Sequence, residues 1–254
     1  MVDSELLQAR LGRRYPSITV VDRTGSTNAD LAALDAPDRT VLIAREQTAG
    51  QGRRGRDWSS PGGGLYLSVL YRPGISPDRV PWLTLLAGVA LVRTAASFGV
   101  EARVKWPNDL LIGGAKAAGV LAEASAPGVV VLGIGLNVGP LPESVRPGPG
   151  GLPPTSLGVD VPVLDVAVTL LTELDALESA WRGDSGDPYP SGLLAEYRSC
   201  CATLGQEVRV ELTDGVLVGT AVRLDQDGTL VVRDGSGREH TVSAGDVVHL
   251  RPSE

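Results

Sequence analysis

Residues 105–123 read KWPNDLLIGGAKAAGVLAE, and this stretch decides the fold. Short apolar runs lie on either side of Gly113-Gly114, a pair suited to a two-residue hairpin turn. Strands are therefore expected around 101–106, 109–112, 116–124 and 129–138. Trp106 and Pro107 suit packing and a turn between two of them. Working outward, the pattern predicts helices over 4–11, from the Ser26/Thr27 cap through Leu34, and over 78–98, 163–181 and 191–203. Further strands are expected at 18–22, 41–44 and 65–71. From Leu204 onward the texture changes to short alternating strands at 208–212, 216–218, 222–224, 230–232 and 247–250. Asp214-Gly215, Asp227-Gly228 and Asp234-Gly235 punctuate them. The chain reads as an α/β (α+β) catalytic domain over 1–203 with a mixed sheet, then a small SH3-like β-barrel over 204–254.

The 254 residues are 43% hydrophobic and 21% charged, enough for one sizeable core and a small second one. Gly (32) and Pro (18) make a loop-rich chain without the composition of a disordered one. A net charge of −7 argues against a nucleic-acid partner. The N-terminus has no apolar signal segment, and the apolar run at 80–92 is short for a membrane span and reads as a buried helix. Cys200 and Cys201 are adjacent and suit free thiols in a reducing cytoplasm. The only histidines, His240 and His249, have no ligand spacing, so they read as structural, and a His-based zinc site or Ser-His-Asp triad is hard to build.

Of the 23 basic residues only Lys105 and Lys116 are lysine, and the only asparagines are Asn28, Asn108 and Asn137. In an Arg-, Ala- and Gly-rich chain, the surviving Lys and Asn mark positions where an ammonium or a carboxamide is needed. A lysine ammonium is a compact charge able to neutralise a developing oxyanion. Asp109 beside Asn108 offers oxygens for Mg²⁺. Asn137 closes Gly133-Ile134-Gly135-Leu136-Asn137, where alternate glycines leave one strand face bare for a ligand or mark a bulge.

Residues 46–64 form a Gly/Arg-rich stretch too long for a plain connector. Gly50 to Trp58 (GQGRRGRDW) formally matches a dinucleotide fingerprint. It leads into Ser59-Ser60-Pro61 and a strand instead of a helix, so that reading fails. Three arginines interleaved with glycines make either a solvated basic loop or a lid that closes over a polyanion. The guanidinium forks fit phosphate and carboxylate oxygens, and glycine lets the backbone approach closely.

Together these segments resemble the biotin protein ligases (biotin–acetyl-CoA-carboxylase ligases). The resemblance rests on Gly25-Ser26-Thr27-Asn28, Glu46 to Trp58, Lys105 to Leu110, Ala115 to Glu123 and Gly133 to Val138, in the family's order, with the β domain agreeing. It implies the fold shared with class II aminoacyl-tRNA synthetases and lipoate ligases. It also implies ATP and biotin as substrates with Mg²⁺, and the biotin carboxyl carrier protein of an acyl-CoA carboxylase as partner. On this resemblance Lys116 and Arg53 are catalytic. Biotin is bound by Ser26, Thr27, Asn28, Gln47, Gly50, Gln51, Gly52, Arg53, Lys116, Gly119 and Gly133, with Trp106, Leu121 and Leu136 as apolar walls. ATP is met by Arg53, Arg56, Trp58, Lys105, Asn108, Asp109, Lys116 and Asn137, and Asp109 serves the metal. Gln51 stands where the family commonly has arginine. About twenty residues precede the first catalytic strand, too few for the helix-turn-helix of members that double as repressors, so the ligase-only form is expected. A lipoate or octanoate ligase, and a non-enzymatic biotin or nucleotide sensor, are the competing readings.

Overall fold

The computed structural model describes residues 2–147, 151–212, 215–243 and 246–249. Its first domain is built on a seven-stranded sheet. The strands are β1 (Ser17–Thr24), β2 (Thr40–Gln47), β3 (Leu65–Tyr71), β4 (Arg103–Lys105), β5 (Asp109–Ile112), β6 (Ala115–Ala126) and β7 (Val129–Leu136). Across the sheet the order is β1-β2-β3-β7-β6-β5-β4. Only β1 and β2 run parallel; the other neighbours are antiparallel, which makes the sheet mixed as expected. Gly113 and Gly114, at φ 56° and 80°, turn β5 into β6 with the two positive-φ residues that this hairpin needs.

Alternation along β7 separates two faces. Leu132, Ile134 and Leu136 join the main core, with helices α3 (Trp82–Ser97) and α4 (Val163–Gly183). Val129 and Val131 point the other way and pack with Leu31 of α2 (Thr27–Ala32). Leu136 is therefore a core residue on the face opposite Gly133 and Gly135, not a wall of the ligand pocket. The apolar segment extends further than 80–92: Pro77–Ser97 is long and apolar enough, by length and composition, to cross a membrane. Here α3 spends that surface inside the protein, where Trp82, Leu83, Leu86, Val89 and Leu91 are buried. Each large side chain so buried contributes roughly 1.5–3 kcal/mol.

Helix α1 (Ser4–Leu11) starts on Asp3, whose carboxylate accepts the N–H groups of Glu5 and Leu6. Helix α5 (Leu193–Cys200) ends three residues before the expected 203 because Cys201 turns extended and bridges Val104 on β4.

The second domain is a five-stranded antiparallel sheet. Its strands are β8 (Glu207–Leu212), β9 (Gly215–Leu224), β10 (Leu230–Asp234), β11 (Glu239–Val242) and β12 (Asp246–His249). The segments expected at 216–218 and 222–224 are one long strand, β9. Strand β11 was not legible, because Glu239, His240 and Thr241 carry no apolar alternation. Asp214 of an expected turn and Leu250 of an expected strand lie outside the described residues. The domain docks through its β9–β10 turn: Gln226 and Gly228 carbonyls accept the indole N–H groups of Trp82 (2.8 Å) and Trp106 (3.0 Å). Trp106 is thus a buried inter-domain pin as well as a residue lining the cleft.

Candidate active site

Sheet register lays out the floor of a cleft of about 1180 Å³. Tyr66, Gly135, Gly119, Asp109 and Lys105 stand side by side across β3, β7, β6, β5 and β4. One row along, Ser68, Gly133 and Leu121 are paired across β3, β7 and β6. Directly paired residues share a face, so the glycines leave a bare trough between a polar end and a charged end. Apart from Leu136, every residue singled out from the sequence for ligand contact lines this cleft, Trp106 and Leu121 included.

At the polar end Ser26 caps α2, accepting the Ala29 N–H at 3.4 Å. That places Thr27 and Asn28, both buried, against the sheet. Thr27 donates its N–H and its hydroxyl to Gln47 Oε1 at 2.9 and 3.0 Å. Asn28 Nδ2 donates to Glu123 Oε2 at 2.8 Å, which orients the carboxamide. Ser68 Oγ lies 2.6 Å from Asn28 Oδ1 and 2.8 Å from Thr27 Oγ1. Its single proton serves one acceptor at a time. A Cβ on Gly133 would fall 2.2 Å from Asn28 Oδ1, so only glycine fits there.

Residues 50–58 fold into a small hairpin over the trough. Trp58 N–H donates to Gly50 O at 2.8 Å and Gly52 N–H to Arg56 O at 2.6 Å. Gln51 and Asp57 bridge across it, and Arg53–Gly55 form a tight helical turn. Gln47 Nε2 donates to Ser60 Oγ at 2.9 Å, and Ser60 donates to Trp58 O at 3.3 Å, so the polar end is wired into the hairpin. Trp58 lays its indole over the bare strands, with Nε1 2.3 Å from where a Gly135 Cβ would sit. That buried N–H has no acceptor among the described residues.

At the charged end Lys116 Nζ is 2.7 Å from Asp109 Oδ1, and Lys105 Nζ is 3.9 Å from Asp109 Oδ2. Burial lowers the Lys105 pKa, Asp109 pulls it back up, and Lys116, Arg56 and Arg53 lower it again. Burial also lowers the pKa of Arg53, and the Arg54 charge adds to that. This is a partly desolvated cationic cluster of the kind that gathers around phosphates. Both Asp109 oxygens face ammonium groups. Among the described residues no set of three or more His, Cys, Asp or Glu side chains is placed to hold a metal. Asp109 thus stands as a single carboxylate, its buried Oδ1 without a hydrogen-bond partner among the described residues, and a magnesium there would draw its other ligands from phosphate oxygens and water.

Asn108 and Asn137 line the cleft while serving the backbone. Asn108 Nδ2 donates to Val120 O at 2.9 Å and Asn137 Nδ2 to Thr155 O at 2.8 Å. The latter bond belongs to a strap over residues 151–158. Lys116 N–H donates to Pro153 O, Thr155 N–H to Lys116 O and Leu157 N–H to Asn137 O, at 2.8–2.9 Å. Ser60, Ser68, Glu123 and this strap were missed. Serines and a proline-rich loop carry no signal of their own, and Glu123 was noticed only as part of a motif. Both histidines lie outside the cleft lining: His240 pairs with Asp234, and His249 Nε2 lies 3.0 Å from Thr203 Oγ1.

The family described as biotin/lipoate A/B protein ligases matches residues 18–140, and the biotin protein ligase C-terminal domain matches residues 203–250. The chain is 43% identical to a biotin–acetyl-CoA-carboxylase ligase of Mycobacterium tuberculosis, over 94% of this chain and 91% of that one. A ligase of the same description from Paracoccus denitrificans is 33% identical, over 85% of this chain and 94% of the relative. Among solved structures, the Aquifex aeolicus biotin protein ligase in complex with biotin and ATP superposes with a TM-score of 0.79 at 26% identity. The match covers 93% of this chain and all of that one.

Proposed function

Because the chain belongs to the biotin/lipoate A/B protein ligase family, and within it to the biotin protein ligases, we propose that the trough holds biotin at its Thr27–Gly133 end and ATP at its Lys105–Asp109 end. The enzyme activates biotin with ATP and passes it to a carboxylase. First the biotin carboxylate attacks the α-phosphorus in line, the bond to the β-phosphate oxygen breaks, and biotinyl-5′-AMP and pyrophosphate form. Then a lysine amine attacks the mixed anhydride, AMP leaves, and the nitrogen sheds its proton as the amide forms. The acceptor in this reading is the biotin carboxyl carrier protein of an acyl-CoA carboxylase.

One observation carries the assignment of roles. Lys116, at the charged end, is paired with Asp109, lies 5.3 Å from the centre of the Trp58 ring, and lays its Cε 3.5 Å from where a Gly119 Cβ would sit. From there one ammonium meets both the biotin carboxylate and the α-phosphate and offsets the repulsion between two anions. Thr27, Asn28 and Gln47, steered by Ser68 and Glu123, meet the polar ring of biotin, with Ser26 fixing the helix start. Gly119 and Gly133 admit it closely, and Leu121 and Trp106 supply apolar wall. Gly50, Gln51, Gly52 and Arg53 cover the acyl chain and the phosphate linkage, which keeps water from the anhydride. Arg56, Lys105, Asn108, Asp109, Asn137 and the Trp58 indole take the nucleotide side. Magnesium arrives on the ATP phosphates as part of the substrate and needs no protein cage.

Residues 1–203 act as the catalytic unit and 204–254 as an accessory β domain. ATP use and the free thiols of Cys200 and Cys201 suit the cytoplasm. Biotin-dependent exchange of pyrophosphate into ATP tests the reading. A biotin ligase shows it with biotin, a lipoate or octanoate enzyme only with those acids, and a sensor with neither.

A further inference from the structure

We propose that Thr203 and His249 are positioning residues for the nucleotide half of the cleft, fixing the backbone at Trp106 and hence the Lys105 ammonium. This rests on the reading of that half as the ATP site.

Strand β4 is three residues long, lies at the outer edge of the seven-stranded sheet, and ends on Lys105. On its open side it meets the segment that leaves α5. Val104 bridges Cys201, and Ala202 N–H donates to Val104 O at 2.7 Å. The next backbone donor, Trp106 N–H, lies beyond the strand and finds Thr203 Oγ1 at 2.9 Å. Thr203 is fully buried. Its hydroxyl accepts from Trp106 and offers its own proton to His249 Nε2, 3.0 Å away on the last strand of the second domain, with the Cys201 sulfur as the competing acceptor. That direction requires a neutral imidazole protonated on Nδ1; burial and the nearby Lys105 charge both favour the neutral ring. On the far side of the same residue, the Trp106 indole is pinned to Gly228 O. The β domain therefore grips the residue after Lys105 by its side chain directly and, through His249 and Thr203, by its backbone.

A grip is needed at this point. Lys105 is 12% exposed and feels the like charges of Lys116, Arg56 and Arg53 as well as the attraction of Asp109. Strand β4 pairs with β5 over three residues and has a single bridge on its open side, so little backbone pairing holds Lys105 against that repulsion. A buried relay with satisfied donors holds it without adding charge. The polar end of the trough, made by α2, β2, β3 and β7, has no part in this relay.

The test uses the full chain, with biotin affinity measured by calorimetry and the KM for ATP from pyrophosphate exchange at saturating biotin. Thr203→Val strands a buried N–H and should raise the ATP KM about tenfold, leaving the biotin Kd within about twofold. Thr203→Ser, which keeps the hydroxyl, should restore it. His249→Phe should shift the ATP KM in the same direction, and the double variant should be no worse than Thr203→Val, as one relay requires. An unmoved ATP KM in a folded Thr203→Val chain, a parallel loss of biotin affinity, or no rescue by serine would overturn the proposal. If Thr203→Val fails to fold, His249→Phe decides alone: an ATP KM equal to wild type refutes the relay. A wild-type chain without biotin-dependent exchange refutes the functional reading as well, whereas an active wild type with unmoved variants refutes only the relay.

Discussion

Lys116 Nζ sits 2.7 Å from Asp109 Oδ1 while Trp58 covers it at 5.3 Å. One ammonium thus meets a carboxylate on the sheet and an indole from the hairpin above it. The Asp109 pairing keeps the charge in place before substrates arrive, and the incoming anions compete for it.

Replacing Lys116 with arginine should cut biotin-dependent pyrophosphate exchange by on the order of 10²-fold. The planar fork is too broad to act as a point charge between two anions, though it can still pair with Asp109. The melting temperature should change little, because the pair is only partly buried. Exchange near the wild-type rate would remove Lys116 from the chemistry.

Arg53→Gly tests the hairpin as a lid. Arg53 stands at the turn, where burial and the charge of Arg54 lower its pKa. Removing it relieves charge crowding, so folding should be unharmed while the acyl-adenylate loses a cover. Release of biotinyl-5′-AMP should rise about tenfold or more, and bystander lysines should become biotinylated. Mass spectrometry of an added non-substrate protein reads this directly; selectivity equal to wild type would rule out a lid.

Much of this site was legible because its chemistry leaves local marks. Both lysines, all three asparagines and the Arg/Gly hairpin are unusual in this composition, and each lines the cleft. What stayed hidden depends on long-range pairing. Ser68 matters only because β3 registers it against Gly133, and the strap at 151–158 only because it lies along Lys116. Leu136 was placed on the wrong face because alternate glycines at 133 and 135 already mark the ligand side, and a neighbour in sequence points away from it. Thr203 meets Trp106 across about 100 residues of chain, and His249 meets Thr203 across 46, contacts that no local pattern announces.

Gly133→Ala should weaken biotin binding about tenfold and ATP binding much less. The new methyl would fall 2.2 Å from Asn28 Oδ1, and Asn28 is held by Ser68 and Glu123 and cannot yield without breaking those bonds. Overpacking of this kind costs about 1–3 kcal/mol. Gly62→Ala is the control, since its Cβ would meet nothing within 4 Å. Equal biotin affinity in the two variants would show that the close approach at Gly133 is not used by the ligand.

His249 gives the second domain a pH-dependent stability. Burial first, and the Lys105 charge second, lower its pKa from 6.5 to about 4. Above pH 6.5 the ring is neutral in both the folded and the unfolded chain, and the full stability is present. As pH falls from 6.5 towards 4, the unfolded chain takes up a proton that the folded chain refuses, so stability declines across that window; below it this group adds no further slope. Lowered carboxylates such as Asp38 also titrate on the acid side, so the informative quantity is a difference. Urea denaturation of wild type and His249→Gln, followed from pH 7.5 to 4, should show the shallower decline in the glutamine variant, which still offers Thr203 an acceptor. Parallel profiles would mean that His249 is protonated as readily in the folded chain as in the unfolded one, and that the neutral ring does not receive the Thr203 proton.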